Sequence, residues 1–334
     1  MIFIDNEGIT DPEINLALEE YALRNFGIND DYLLFYINAP SIIIGRNQNT
    51  LEEINDDYVR KNGIKVVRRM SGGGAVYHDL GNLNFSFITE YKPENLHNFK
   101  KFTTPVINVL KEMGVDAEMS GRNDILVEGR KISGNAQFSS GKRMFSHGTL
   151  LLDSDLDEVT NALNVKMSKI QSKGHKSVRS RVANIVEFLD NPIDVEEFRK
   201  MLLEGLYRDR ETFETYHLTE EEWKAVHELK EEKYGNWDWN FGRSPKFDIQ
   251  RSKRFPVGEI DVRINVQDGK INDVKIYGDF FGKEPVTEIE EMLVNTRYSP
   301  EDIEEVLHPI DVQSYFGNIE KEEFLQLVYG EDEE

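Results

Sequence analysis

The sequence predicts an α+β fold in two parts. Strand-like apolar runs are joined mostly by hairpin-type connections and not by helical crossovers. Helical periods opened by good caps are interspersed among them. One compositional break, a cluster of Gly, Asn, aromatic residues, Ser and Pro at Tyr234–Pro245, divides a long first part from a short second one. Mixed elements connected in this way favour an α+β sheet over a doubly wound parallel one.

Asp11-Pro12 supplies an N-cap and a first-turn proline, and Ile14, Ala17, Leu18 and Tyr21 continue at helical spacing toward Gly27. Tyr32–Ile37 and Ser41–Ile44 read as strands joined by a turn through Asn38-Ala39-Pro40. Thr50-Leu51-Glu52-Glu53 has the form of a capping box and is expected to open a helix toward Lys61. Lys65–Arg69 is a short strand leading into a Gly-rich turn, Leu83–Thr89 is the strand after it, and Phe99–Met113 is helical. A β-rich block follows: Ile125–Glu128, Lys131–Gln137 and Met144–Leu152, with turns at Gly129 and Gly141-Lys142. Helices are expected at Asp155–Leu163, Asp194–Leu206 and Thr219–Tyr234, the last capped by Thr219 with Glu222. Beyond the break, Phe255–Gln267 and Lys270–Tyr277 form a hairpin about Asp268-Gly269. Acidic helices then begin at Glu284 and Pro300. Residues 301–334 carry twelve acids and one lysine, which predicts a solvated surface helix and tail.

At 334 residues the chain has room for two domains, placed at 1–240 and 246–334. With 39% hydrophobic and 31% charged residues, the composition is that of a soluble globular protein. No apolar run approaches the roughly 20 residues of a membrane span, so no membrane role is expected. Met1-Ile2-Phe3-Ile4-Asp5 has neither a basic stretch nor a cleavage site, which points to the cytoplasm. The absence of cysteine removes disulfides, thiolate metal sites and thioester chemistry. The seven histidines make no HxxxH or HExxH pair, against a dedicated zinc site. A net charge of −22 argues against nucleic acid as a partner. One window opposes that charge: between Val165 and Asn184 there is no acid, while Lys166, Lys169, Lys173, Lys176, Arg179 and Arg181 are basic. It reads either as a solvated face or as a site for an anion or an acidic partner.

Four clusters could carry chemistry. Arg68-Arg69-Met70-Ser71-Gly72-Gly73-Gly74-Ala75-Val76-Tyr77-His78-Asp79 joins a Gly-rich turn to forked cations and a titratable ring. It fits a cradle for a small anion, and equally a hairpin turn with solvated arginines. Gly121-Arg122-Asn123-Asp124 sets an amide beside a carboxylate, as oxygen ligands for Mg²⁺ or as an ordinary Asx turn. Gly129-Arg130-Lys131-Ile132-Ser133-Gly134-Asn135 places Lys131 and Ser133 on one strand face, with Ile132 opposite, and Lys131 alone could be a solvated edge residue. Ser146-His147-Gly148-Thr149 leads into an apolar strand, where His147 could be structural.

In order and wording these clusters resemble the lipoate–protein ligase family. Its Arg-Arg-x-Ser-Gly-Gly-Gly-Ala-Val-(Phe/Tyr)-His-Asp pattern corresponds to residues 68–79, and Gly-Arg-Asn-Asp to 121–124. Arg-Lys-(Val/Ile)-Ser-Gly corresponds to 130–134 and His-Gly-Thr-Leu-Leu to 147–151. Asn15–Glu20, Gly45–Asn49, Ser177–Val182 and Trp239–Gly242 extend the likeness over nearly the whole chain.

The resemblance implies a catalytic domain of the kind shared with biotin ligases and class II synthetases, plus a small α+β accessory domain. It implies ATP-dependent activation of free lipoate to lipoyl-AMP, and octanoate as a further candidate acid. The lipoyl group would then pass to a lysine of a lipoyl domain, as in 2-oxoacid dehydrogenases or the glycine-cleavage H protein. It casts Lys131 as the catalytic cation. It assigns Arg69, Gly74, Ala75, Val76, Tyr77, Asn123, Asp124 and Arg179 to ATP or the adenylate. Leu16, Glu19, Ser71, Gly73, His78 and His147, with Arg69 and Lys131, would line the lipoate pocket. Asp124 is the candidate Mg²⁺ ligand, and the basic 165–184 window corresponds to a loop that closes over the adenylate. A monomer is expected. Cysteine-dependent octanoyl or lipoyl transferases on this fold would need a thiol that the chain lacks. A biotin ligase would need a Gly-Arg-Gly-Arg-type loop, also missing, and a silent lipoyl-domain binder would have no use for Lys131.

Overall fold

A computed structural model describes residues 1–163, 181–208, 213–242, 249–267 and 269–329. Most of the basic window, Arg179 included, lies outside them, as do residues 243–248 at the expected domain boundary, Asp268 and residues 330–334. The chain groups into two compact units. One comprises Met1–Ile44, Glu52–Arg69 and Ala75–Asn240; the other comprises Gly45–Leu51, Met70–Gly74 and Phe241–Glu334.

The strands of the first unit, in chain order, are β1 (Ile2–Ile4), β2 (Tyr32–Ile37), β3 (Ser41–Ile44), β4 (Lys65–Arg68), β5 (Val76–His78), β6 (Asn82–Glu90), β7 (Glu118–Ser120), β8 (Asp124–Val127), β9 (Arg130–Ser140), β10 (Arg143–Leu151) and β11 (Thr215–Tyr216). Eight of them form one sheet in the order β11-β1-β2-β6-β10-β9-β8-β7, and β4-β3-β5 form a small second sheet. In the large sheet β1 runs parallel to β11 and β2, and the rest is antiparallel, as the hairpin connections predicted. Its helices are α1 (Pro12–Asn25), α2 (Thr50–Glu53, divided between the units), α3 (Asp56–Lys61), α4 (Phe99–Glu112), α5 (Leu156–Ala162), α6 (Val195–Leu206), α7 (Glu220–Leu229) and α8 (Trp237–Asn240). Asp11 and Thr219 cap their helices as expected, and Asp155 and Asp194, expected as first helical residues, are the caps of theirs, because a cap is a local event that neighbouring side chains settle.

The large sheet has an apolar face and a polar one. Leu33 and Phe35 of β2, Phe85 and Phe87 of β6 and Met144 of β10 meet Val106 and Leu110 of α4 and Phe198 and Leu202 of α6 in the main core. The alternate residues of β6, Asn82, Asn84 and Ser86, are buried on the opposite side, where α1 packs against β6 and β10. A buried polar face is costly unless something satisfies it, so this is where a ligand is expected.

Several local expectations needed correction. β2 and β3 do not pair as a hairpin but enter different sheets. The run from Thr50 to Lys61 is two short helices, and Asn55 caps the second through its side chain to Tyr58 N. Phe255–Gln267 is not one strand: Pro256-Val257 turns the chain between β12 (Ile249–Phe255) and β13 (Gly258–Gln267), which pairs onward with β14 (Lys270–Gly278). Finally, the acidic tail is not merely solvated. Helices at Pro300–Leu307, Val312–Phe316 and Lys321–Tyr329 bury Ile303, Leu307, Phe316, Phe324 and Val328 in the core of the second unit.

In the second unit two glycines have a packing reason, Gly72 of the expected cradle and Gly45 beside it. A Cβ on Gly72 would fall 2.4 Å from the Phe280 carbonyl oxygen, and one on Gly45 would fall 1.9 Å from that of Gly73. Arg46 N donates to Ser71 O at 2.9 Å, and Gly278 N donates to Asn47 O at 2.6 Å.

In the first unit Gly81 closes the turn before β6. Its carbonyl accepts from Leu152 N and Asp153 N, both at 3.0 Å, and a Cβ there would stand 2.0 Å from the Asp153 carbonyl oxygen. Backbone cannot retreat as a side chain can, so Gly81→Ala should lose about 1–3 kcal/mol of stability. Urea denaturation checks this; an unchanged midpoint would show that the turn relaxes without cost.

Candidate active site

Helix α1 brings Leu16 and Glu19 to the polar side of the large sheet, both about 2% exposed. Glu19 meets His147 of β10, with Nδ1 at 2.9 and 3.1 Å from its two carboxylate oxygens. An ionised carboxylate only accepts, so His147 carries a proton on Nδ1. Arg69 follows β4, buried, and donates through Nη1 to the Ile43 carbonyl at 3.0 Å. Burial pulls its guanidinium down to about 10 against the pull of Tyr36 and Glu19, so it stays a cation at neutral pH. Burial also pushes the Tyr36 hydroxyl well above its ordinary value, with the Glu19 charge adding to the effect, and this phenol stays neutral.

His78 ends β5, where it pairs with Ser41 of β3. Its Nδ1 lies 3.0 Å from Asn38 Nδ2, while its buried Nε2 has no hydrogen-bond partner among the described residues. Burial, reinforced by the Arg69 charge and by His147, brings its pKa down to about 3. Val76 and Tyr77 form the rest of β5, an edge strand of the small sheet, with Ala75 just before it. Burial raises the Tyr77 hydroxyl above its ordinary value, with Asp79 the next contributor.

Lys131 lies on β9, with its Nζ 2.8 Å from Asp124 Oδ1 and its side chain one-third exposed. The expected alternation breaks here: Ile125 pairs with Ser133 and Leu126 with Lys131, so Ile132 is an extra, fully buried residue. The Lys131 side chain folds across Gly134, where a Cβ would stand 2.8 Å from Nζ. That explains the glycine three residues after the lysine. Gly134 N in turn donates to Thr149 Oγ1 at 3.1 Å, on the same face of β10 as His147. Asn123 ties the turn to β9: its Nδ2 donates to Asn135 O at 2.6 Å, and its carbonyl accepts from Asn135 N at 2.9 Å and from Asn135 Nδ2 at 3.0 Å. No group of three or more His, Asp or Glu among the described residues could hold a metal ion on its own.

The first unit thus brings together Leu16, Glu19, Arg69, His78 and His147, with Lys131 and Asp124 on neighbouring strands. Ser71, Gly73 and Gly74 group with the second unit, and Arg179 lies outside the described residues. Two motif residues are structural. Asp79 accepts from Gly81 N at 3.0 Å and from Asp155 N at 2.8 Å, tying the turn to the start of α5. Arg68 is 1% exposed and binds the segment that ends the unit: its Nε donates to Trp239 O at 2.9 Å, and its N donates to Asn240 Oδ1 at 2.8 Å. Trp239 Nε1 returns a bond to Arg68 O at 2.7 Å.

Over residues 11–207 the sequence matches the Lipoyl protein ligase A/B catalytic domain family, and over 244–328 the Bacterial lipoate protein ligase C-terminus. It is 59% identical over 331 residues to lipoate-protein ligase LplJ of Bacillus subtilis, covering 98% of this chain and 100% of that one. The chain belongs to the lipoate–protein ligase family. Lipoate–protein ligase 1 of Staphylococcus aureus is 52% identical over 98% of this chain and 100% of its own. Among solved structures, P. falciparum LipL1 in complex with lipoate superposes with a TM-score of 0.75 at 26% identity, covering 98% of both chains. A bi-partite lipoate protein ligase of Thermoplasma acidophilum, studied with its E2 lipoyl domain, gives 0.64 at 34% identity over 74% of this chain and 98% of that one.

His78 makes a pH prediction. Its pKa is about 3 when folded against 6.5 ordinarily, so below pH 6.5 the unfolded chain takes up a proton that the folded chain refuses. Stability present above that value is lost progressively as pH falls toward 3. His78→Gln should flatten this loss between about pH 7.5 and about pH 5. Urea midpoints across that range check it, and parallel profiles for the two proteins would contradict it.

Proposed function

We propose that the chain activates free lipoate with ATP and passes the lipoyl group to a lysine of a lipoyl domain. In the first step a lipoate carboxylate oxygen attacks the α-phosphorus of ATP and pyrophosphate leaves, giving lipoyl-AMP. Both reactants are anions, so the step needs a cation between them whose value grows as charge builds on the transferring group. The observation that carries the reading is Lys131, an ammonium directed by Asp124 at 2.8 Å over a glycine that leaves it room. In the second step the acceptor lysine nitrogen attacks the lipoyl carbonyl carbon, AMP leaves and the amine gives up a proton.

Arg69 is assigned to the carboxylate or the phosphate, and Leu16, Glu19, His78 and His147 to the acyl pocket. Ser71 and Gly73 are likewise assigned to lipoate, and Gly74, Ala75, Val76, Tyr77, Asn123, Asp124 and Arg179 to ATP or the adenylate. Mg²⁺ commonly enters with substrate phosphates on only one or two carboxylates, and Asp124 is the carboxylate assigned to it. Octanoate offers the same carboxylate and is a second candidate acid. Acceptors would include dehydrogenase lipoyl domains and the glycine-cleavage H protein. The chain would work as a monomer in the cytoplasm, where ATP is at hand.

Lys131→Ala should lower lipoyl transfer to an unmodified lipoyl domain by about a hundredfold or more, with the fold retained. Intact-mass measurement of the acceptor over time checks this. A variant that lipoylates at the wild-type rate would remove Lys131 from the mechanism.

A further inference from the structure

Behind His78 stands a buried line of three asparagines, of which only Asn15 falls in a segment that carries the family likeness. Asn6, Asn15 and Asn38 are 3%, 0% and 0% exposed. The direction of every bond in the line is fixed from its far end, because backbone carbonyls can only accept. Asn15 Nδ2 donates to Ile9 O at 2.9 Å and lies 3.3 Å from Ile37 O, so its nitrogen is the group on that side. Its oxygen accepts from Asn6 Nδ2 at 3.1 Å, and Asn6 Nδ2 also donates to Ile9 O at 3.0 Å. The same Asn15 nitrogen donates to Asn38 Oδ1 at 2.9 Å, so Asn38 turns its own nitrogen toward the ring. Asn38 Nδ2 then donates to His78 Nδ1 at 3.0 Å.

A nitrogen that accepts carries no proton. We propose that Asn15 and Asn38 are positioning residues that hold His78 in its Nε2–H tautomer, so that the ring presents one fixed donor to an acceptor atom of the bound acyl substrate. His78 Nε2 is buried without a partner among the described residues, which is the state of a donor kept for a ligand. The other tautomer would aim a lone pair at the substrate acceptor and repel it. The ring also stays neutral at working pH, because it is buried beside Arg69. A second buried cation would be repelled by Arg69, whereas a neutral ring can still donate a hydrogen bond beside it. Helix α1 contributes Asn15 to this line four residues before Glu19, so one helix serves both histidines of the site.

The inference rests on the lipoate reading for its substrate and on geometry alone for the tautomer, and one preparation tests the two separately. Long-range ¹H–¹⁵N spectra of the full chain, labelled at histidine, should show His78 with Nδ1 unprotonated and Nε2 protonated. Asn38→Asp replaces the donor with an acceptor and should move a proton onto Nδ1. Addition of lipoate to the wild type should shift the Nε2 resonance. Asn38→Leu, similar in size but without polar groups, should raise KM for lipoate about tenfold and leave KM for ATP unchanged. A protonated Nδ1 in the wild type overturns the proposal even if neither variant folds. So does a ring whose protonation ignores Asn38→Asp, or an Nε2 resonance that lipoate leaves in place. Lack of lipoate turnover by the wild type would instead count against the functional reading.

Discussion

Two successive carboxylates on α1, Glu19 and Glu20, are both almost fully buried, and much of the first unit is arranged to satisfy them. A carboxylate taken out of water must be paired or it neutralises. Consecutive helical residues point about 100° apart, so the pair cannot share one partner set. Glu19 turns to His147 on the sheet. Glu20 turns the other way and accepts from Tyr234 OH and Lys233 Nζ, both at 2.7 Å, and from Arg24 Nε at 2.8 Å. Burial alone would raise Glu20, yet these partners hold it below the ordinary carboxylate value. The rotation of α1 about its axis is thereby set from two sides. Asn15 and Leu16 on the same helix come into register with the site as a consequence.

The second carboxylate carries the constraint further. Tyr234 O accepts from Asn240 Nδ2 at 2.7 Å, and Asn240 and Trp239 grip Arg68. Lys233 also sits over the Trp239 ring, 4.3 Å from its centroid. An unbroken chain of contacts therefore runs from α1 through the last residues of the unit to the end of β4, one residue before Arg69. The two arginines of the motif divide the work. Arg68 holds the backbone, and Arg69 keeps a buried charge beside Glu19 and His78.

Much of this was legible in the sequence where the signal is local. Helix caps, the glycine turns at Gly129 and Gly141 and the longer strands follow from neighbouring residues, and both turn glycines have positive φ. Strands of two or three residues such as β1, β7 and β11 are too short to show a period, and pairing partners far along the chain decide them. The acidic tail misled because charge count hid apolar residues at helical spacing, Ile303 with Leu307 and Phe324 with Leu327 and Val328. In the candidate site, motif wording singles out Lys131, Asp124, Glu19, His78 and His147 as candidates, but not their partners. The Ile132 bulge, the service of Asn123 and Asp79 to turns, and the bonds of Arg68 all depend on segments brought together by folding. One missed signal was present: Asn82, Asn84 and Ser86 alternate with Leu83, Phe85 and Phe87, a strand polar on one face and apolar on the other. With both faces buried, that pattern marks the sheet surface under the site.

This polar face, with Lys131 and Arg69, should make an adenylate from lipoate before any acceptor is present. ATP–pyrophosphate exchange without a lipoyl domain tests it most directly. Lipoate should drive the exchange and biotin should not. Exchange that proceeds equally without lipoate, or none in its presence, would rule this chemistry out.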